Sequence, residues 1–216
     1  MPLSYLTGVR EFWSLPLRVR PGVLIPRPET ETVVEQVLGL PGSKRRLADI
    51  GTGCGSIALA LARELPDSSI AATDISPRAL RTAAVNVHRL GLRNVRLLRG
   101  DLLSPLEKMG WSGTCDVIAS NPPYVSEEEW EGLSPQIRNH EPRRALVAGR
   151  SGLEVILRLV AGALKFLRPG GHLVIEIGYG QKENVLSMFG AGWDGVECGL
   201  DLSGVPRVVS ARSATR

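Results

Sequence analysis

Asn121-Pro122-Pro123-Tyr124 brings together residue types able to grip a planar nitrogen group. Neither proline has an N–H and each fixes its own φ, so the loop presents rigid carbonyls and almost no donors. Asn121 adds a side-chain carbonyl and Tyr124 a flat face. An amide or an exocyclic amine matches that surface. Its two N–H bonds would go to the Asn121 side chain and the Pro122 carbonyl, with Pro123 stiffening the loop and Tyr124 against the group. Fixing both hydrogens fixes the direction of the nitrogen lone pair, which suits a weak nucleophile made to attack. Asn and Pro are also ordinary turn residues, so the loop gains its meaning from what lies upstream.

Upstream, the short apolar strand 47–50 runs into Gly51-Thr52-Gly53-Cys54-Gly55, a second strand ends at Asp74, and a third ends before Asp101 and Leu102. In open α/β sheets ligands bind outside the carboxyl ends of the strands, at the switch point. Three strands therefore deliver a glycine turn and two acids to one edge, and Asn121 arrives from the fourth. The spacing of the loop is Gly-x-Gly-x-Gly and not Gly-x-Gly-x-x-Gly, which weakens a dinucleotide reading. S-adenosylmethionine fits the whole set: ribose on Asp74, adenine near Asp101 and Leu102, methionine along Gly51, Thr52, Gly53, Cys54 and Gly55. S-adenosylhomocysteine would be the product.

The elements that must position these residues follow from periodicity. Residues 5–27 read as a β-hairpin with strands at 11–20 and 23–26 and a turn at Pro21-Gly22, and a helix from Pro28 to about Leu38 comes next, with acids in its first turn. Ile57, Ala60, Leu61 and Leu65 share one helical face. A helix over 77–90 has Ser76 as N-cap, Pro77 in its first position and Gly91 at its end. Strands are expected at 68–73, 94–98, 115–120 and 172–177, helices at 152–167 and 178–189, and an antiparallel pair at 193–198 and 206–210. Residues 125–150 read as a long irregular segment of the lid or binding-loop type. The alternation predicts an α/β, doubly wound, mostly parallel seven-stranded Rossmann-like sheet with an N-terminal β-hairpin. Residues 1–42 read as the hairpin and helix packed on a catalytic domain of residues 43–216.

The bulk properties fit one domain: 216 residues, hydrophobic 43%, charged 22%, net charge +4. Aromatics at 5% argue against a base-stacking surface for single strands. Cys54, Cys115 and Cys198 have no paired spacing, which predicts no metal and suits a reducing compartment. No apolar run approaches membrane-spanning length, so a cytoplasmic protein with no membrane partner is expected.

Asp49-Ile-Gly-Thr-Gly-Cys-Gly55, Asp74-Ile-Ser-Pro77, Asn121-Pro-Pro-Tyr124 and Ile25-Pro-Arg-Pro-Glu-Thr-Glu31 together resemble the bacterial release-factor glutamine methyltransferases. Tyr5-Leu-Thr-Gly8, Arg10-Glu-Phe-Trp13 and Glu141-Pro142 extend the resemblance over nearly the whole chain. Asn-Pro-Pro-Tyr alone is shared with amino-methyltransferases of other substrates, and the segment beginning at Ile25 narrows it. The resemblance implies methyl transfer to the side-chain amide (N5) of the glutamine in the Gly-Gly-Gln loop of peptide-chain release factors. It implies that Asn121, Pro122 and Tyr124 hold that amide, and that Gly51 to Gly55, Asp74, Leu102 and Asn121 meet the cofactor. The family usually carries a small helical domain ahead of the Tyr-x-x-Gly segment at which this chain opens. Position 102 often carries an aromatic in relatives, where Leu102 offers only apolar contact.

His140 and Glu141 read as structural, since no base is needed before transfer. Two other readings stand beside the first. An adenine-N6 nucleic-acid methyltransferase would use the same loop, but from Val125 to Glu141 the chain holds Glu127, Glu128, Glu129, Glu131 and Glu141 against Arg138 alone, which would repel a phosphate backbone. The other is a non-catalytic S-adenosylmethionine-binding module. A monomer is expected.

Overall fold

A computed structural model describes residues 1–214. The short helix α1 (Leu3–Thr7) leads into a hairpin of β1 (Val9–Phe12) and β2 (Leu15–Arg18). The hairpin turns at Trp13-Ser14, both at positive φ (51° and 56°), and not at Pro21-Gly22. Pro21-Gly22 makes a separate turn, closed by Val23 N–H donating to the Arg20 carbonyl at 3.1 Å, and no strand follows it. Tertiary contacts explain the shift. Trp13 donates its backbone N–H to Glu31 at 2.7 Å and its indole N–H to Glu64 at 3.0 Å, holding a conformation its residue type disfavours.

A 3-10 turn at Pro28–Thr30 opens α2 (Glu31–Gly39). Alternation then sets in: β3 (Arg46–Ile50), α3 (Ser56–Glu64), β4 (Ser69–Asp74), α4 (Pro77–Leu90), β5 (Val95–Arg99), α5 (Ser104–Lys108) and β6 (Cys115–Ser120). The caps of α4 are those the sequence predicts. The Ser76 hydroxyl accepts from Ala79 N–H at 3.3 Å, Pro77 opens the helix and Gly91 closes it at φ 66°.

Residues 125–150 are ordered and not irregular. β7 (Val125–Ser126), α6 (Glu127–Gly132), α7 (Pro135–Arg138) and β8 (Val147–Gly149) fill them, and β7 pairs with β8 in parallel. A capping box at Ser126 and Glu129 starts α6. Next come α8 (Glu154–Ala163), shorter than expected, and β9 (Leu167–Glu176), which starts earlier and absorbs Pro169-Gly170-Gly171 as a bulge. Of the helix expected over 178–189 only α9 (Lys182–Leu186) forms. Strands β10 (Trp193–Leu200) and β11 (Pro206–Ser213) close the described chain.

The seven-stranded sheet has the order β10-β11-β9-β6-β3-β4-β5. β5, β4, β3, β6 and β9 run parallel, while β11 runs antiparallel to β9 and pairs with β10. Both faces are covered, as a parallel sheet requires. Leu47, Ile70, Val117 and Val174 pack with the hairpin, α2 and α3, so residues 1–42 share one core with the sheet. Ile50, Ala71, Ile118, Leu173 and Ile175 pack on α5 and α8. The order reverses between β3 and β6, and a ligand crevice belongs there. Among the described residues no helix is long and apolar enough to cross a membrane.

Candidate active site

A cavity of about 370 Å³ opens at the carboxyl ends of β3, β4, β5 and β6, within the usual range for small-molecule sites. Gly51, Thr52, Gly53, Cys54, Asp74, Asp101, Leu102, Asn121 and Pro123 all line it. Gly55 does not. A Cβ there would lie 2.9 Å from Leu59 Cδ1, so this glycine lets α3 pack close to the loop. Gly51 and Gly53 have φ of 76° and 59°, left-handed conformations that glycine adopts without strain.

The N–H groups of Gly51, Thr52, Gly53 and Gly55 in the glycine loop are spent inside the protein. Gly51 and Thr52 N–H both donate to the Thr73 carbonyl at 2.9 Å, Gly53 N–H to Asp74 Oδ2 at 2.9 Å, and Gly55 N–H to the Thr52 carbonyl at 2.8 Å. A pyrophosphate would need those N–H groups free. Beneath the loop Asp49, 1% exposed, accepts from the Thr52 hydroxyl at 2.6 Å and from Ala58 N–H at 3.1 Å. Burial pushes its carboxyl up to about 7 against those two bonds. Burial also raises Asp74, opposed by the N–H groups of Ser76 and Gly53 and by the charge of Arg144.

The acid expected at the adenine is differently engaged. Asp101 lines the cavity, but its carboxylate pairs with Arg158 from α8. Leu102 sits at φ 46°, held by the Thr73 hydroxyl donating to its carbonyl at 3.0 Å. A bulky residue at positive φ is uncommon and marks a position fixed by its surroundings.

A narrow cleft of about 20 Å³ adjoins the cavity, walled by Leu24, Arg27, Asn121, Pro122, Tyr124, Ala145 and Leu146. Asn121 belongs to both walls. Its Nδ2 donates to Thr30 Oγ1 at 2.8 Å, which leaves Oδ1 as the end able to accept. The Pro122 carbonyl accepts no hydrogen bond among the described residues. Tyr124 is pinned at both ends: its hydroxyl donates to Glu176 Oε1 at 3.2 Å, and its carbonyl accepts from Gln181 Nε2 at 2.8 Å. Burial, then the Glu176 charge, raise the Tyr124 phenol far above its ordinary value, so it stays neutral.

Thr30, Arg144, Arg158, Glu176 and Gln181 are further parts of this site to which the sequence motifs assign no role. Glu176 left a signal, a lone acid inside the apolar run 173–177. The others are placed by tertiary packing and left none.

A family model described as the methyltransferase small domain matches residues 30–136. The release factor glutamine methyltransferase of Salmonella typhimurium strain LT2 is 44% identical over 98% of this chain and 75% of its own length. That of Nitratidesulfovibrio vulgaris strain Hildenborough is 43% identical over 98% of this chain and 72% of its own length. Among solved structures, a methyltransferase from Pyrococcus furiosus superposes with a TM-score of 0.67 at 21% identity, over 93% of this chain and 89% of that one.

Proposed function

Since the chain belongs to the release factor glutamine methyltransferase family, we propose that it methylates the side-chain amide nitrogen (N5) of the glutamine in the Gly-Gly-Gln motif of peptide-chain release factors, with S-adenosylmethionine as donor. The observation that carries this reading is the place of Asn121, which lines both the large cavity and the narrow cleft and, unlike the Leu24 and Ala145 side chains that also do so, can accept a hydrogen bond there. A group held in the cleft is thereby brought next to whatever fills the cavity.

The cavity fits a nucleoside with an amino-acid tail better than a dinucleotide. It has the volume, left-handed glycines where a side chain would be strained, a carboxylate at Asp74, apolar walls at Ile75, Leu102 and Val155, and a loop whose Gly51, Thr52, Gly53 and Gly55 N–H groups are already engaged. S-adenosylmethionine would supply an electrophilic methyl group on a sulfonium. Gly51, Thr52, Gly53, Cys54, Asp74, Asp101 and Leu102 would hold it.

The cleft does the rest. An amide nitrogen is a poor nucleophile because its lone pair is delocalised into the carbonyl. Asn121 Oδ1 and the Pro122 carbonyl would accept its two N–H bonds, and these bonds strengthen as the nitrogen becomes positive, favouring the transition state over the ground state. The Tyr124 ring, fixed by Glu176 and Gln181, would steady the same charge. Proximity supplies the remaining term. No strong base is required, because the methylated nitrogen loses its proton readily.

Nucleic acid is the other acceptor for such a loop. Glu127, Glu128, Glu129 and Glu131 lie exposed on α6, directly after the loop, and oppose a phosphate backbone there. Labelled methyl transfer to purified release factor, run beside duplex DNA and followed by peptide mapping, separates the readings. Label on the glutamine amide is the expected result. Label in DNA alone, or cofactor binding with no acceptor, would refute the proposal.

A further inference from the structure

The segment that ends β9 holds an acid that the chemistry above uses only to fix Tyr124. Glu176 is 1% exposed, at the carboxyl end of β9, directly after the apolar residues Leu173, Val174 and Ile175. Its Oε1 takes the Tyr124 hydroxyl, and its Oε2 has no hydrogen-bond partner among the described residues. Arg207 is near enough to steady the charge but is committed elsewhere, its Nε to Asp201 at 3.2 Å and its NH1 to the Ile177 carbonyl at 3.3 Å. The Thr30 hydroxyl lies beside the carboxylate and favours its charged form. An unpaired buried carboxylate is costly, so its persistence here calls for a physical reason.

Thr30 supplies the reason. Its oxygen already accepts from Asn121 Nδ2 at 2.8 Å, so its single proton must point away from Asn121. An ionised carboxylate can only accept, and Glu176 is where that proton can go. We infer that Glu176 is a positioning residue which, acting through Thr30, fixes which end of the Asn121 amide faces the cleft. The two ends of an amide are nearly the same shape, and only the hydrogen-bond network distinguishes them. With Glu176 charged, the Thr30 proton is drawn toward it while Thr30 accepts from Nδ2 at 2.8 Å, and Oδ1 is presented to the incoming amide. With Glu176 protonated, the carboxyl can donate to Thr30. Thr30 can then donate to Asn121 Oδ1, and the Asn121 amide turns over. Its NH2 would face the NH2 of the target, donor against donor.

The same segment holds the other wall of the cleft. Gln181 accepts from Gly178 N–H at 2.9 Å while donating to the Tyr124 carbonyl, and a Cβ at Gly178 would stand 3.1 Å from Tyr124 Cδ2. Residues 176–181 thus set both the phenol and the carbonyl of Tyr124 as well as the direction of the relay.

Burial pushes the Glu176 carboxyl up to about 7, opposed by the Thr30 hydroxyl, Arg207 and the Tyr124 phenol, and assisted by the charge of Glu29. The relay should therefore reverse near neutral pH.

The inference rests on the reading of Asn121 as the acceptor for the target amide, and its test needs a readout independent of turnover. Full-length protein labelled with 15N and 13C is titrated from pH 5.5 to 8.5, following the Asn121 side-chain NH2 and the Glu176 carboxyl. The Asn121 resonances are expected to move with the Glu176 titration in wild type and to stay still in Glu176→Gln and Thr30→Val. In single-turnover transfer to release factor, Thr30→Val should lose roughly tenfold or more in rate. Glu176→Gln, whose amide satisfies either direction, should lose several-fold, and its acidic limb should vanish. Cofactor affinity should change less than about twofold in Glu176→Gln, and Thr30→Ser, which keeps the hydroxyl, should restore the rate to within about threefold of wild type. Asn121 resonances indifferent to Glu176, or an acidic limb that persists in Glu176→Gln, would overturn the inference. If wild type methylates no release factor, the resonance titration still decides the question, so the two failures are distinguishable.

Discussion

The guanidinium of Arg27 and the carboxylate of Glu141 meet at 2.5 Å, joining the segment before α2 to the segment after α7. Glu141 is 6% exposed and its second oxygen accepts from Ile25 N–H at 3.3 Å, so it is held on both sides by the N-terminal segment. Arg27 in turn walls the cleft. Glu141 therefore clasps the N-terminal segment over the site.

Breaking that clasp should cost both stability and activity. Removing one partner of a buried pair strands the other, but Arg27 is partly exposed and can turn to solvent. Glu141→Ala is therefore expected to lose roughly 2–3 kcal/mol, below the usual range for fully buried pairs. Urea unfolding measures it, and a midpoint equal to wild type would mean the pair contributes nothing.

Asn121→Ala removes the acceptor shared by cavity and cleft but leaves the glycine loop and Asp74 in place. Turnover should fall about a hundred- to a thousand-fold, the scale of a lost transition-state hydrogen bond. Affinity for S-adenosylmethionine, by calorimetry, should stay within about threefold of wild type. Equal losses in both would assign Asn121 to the cofactor instead.

The two inner glycines should separate by experiment. Gly53 has nothing within 4 Å of its would-be Cβ, while at Gly55 the Cβ would strike Leu59. Both have positive φ, so alanine at either costs about 1 kcal/mol of backbone strain. Gly55→Ala adds a packing clash of about 1–3 kcal/mol, and Gly53→Ala adds a methyl at the edge of the cavity. Gly55→Ala should thus melt earlier, and Gly53→Ala should chiefly weaken cofactor binding. The reverse ranking would place the wrong glycine at the ligand.

The parts of this fold legible in the sequence are those whose signals are local. Helix α4 announces both ends through Ser76, Pro77 and Gly91, and β6 is a buried strand around Val117, Ile118 and Ala119 with matching bounds. The hairpin turn was misplaced because Pro21-Gly22 is the stronger local signal. The true turn, Trp13-Ser14, is held by Glu31 and Glu64 from distant helices. The segment 125–150 hid its order differently. Its helix α6 did carry a readable capping box at Ser126 and Glu129, but β7 and β8 are too short to show any period. At the site, the loop residues were visible because glycine, proline and asparagine have few substitutes for what they do. Thr30 and Gln181 were not, because their roles depend on partners 91 and 57 residues away.

Glu176 should make the protein less stable as pH rises toward 8. Its folded pKa is raised from 4.5 to about 7, so between those values the folded state holds a proton that the unfolded state has released. Stability from this group is full below about 4.5 and is lost as pH climbs through about 7. Glu176→Gln lacks that loss. It should match wild type near pH 5 and exceed it at pH 8, by no more than roughly 3 kcal/mol for a shift of this size. Asp49, raised in the same way, keeps its share of the slope, so the variant should flatten the dependence without removing it. Denaturant midpoints at pH 5 and pH 8 test the prediction, and a variant less stable than wild type at pH 8 would contradict it. A more stable protein that transfers methyl groups more slowly would show that the buried charge is kept for the reaction and not for the fold.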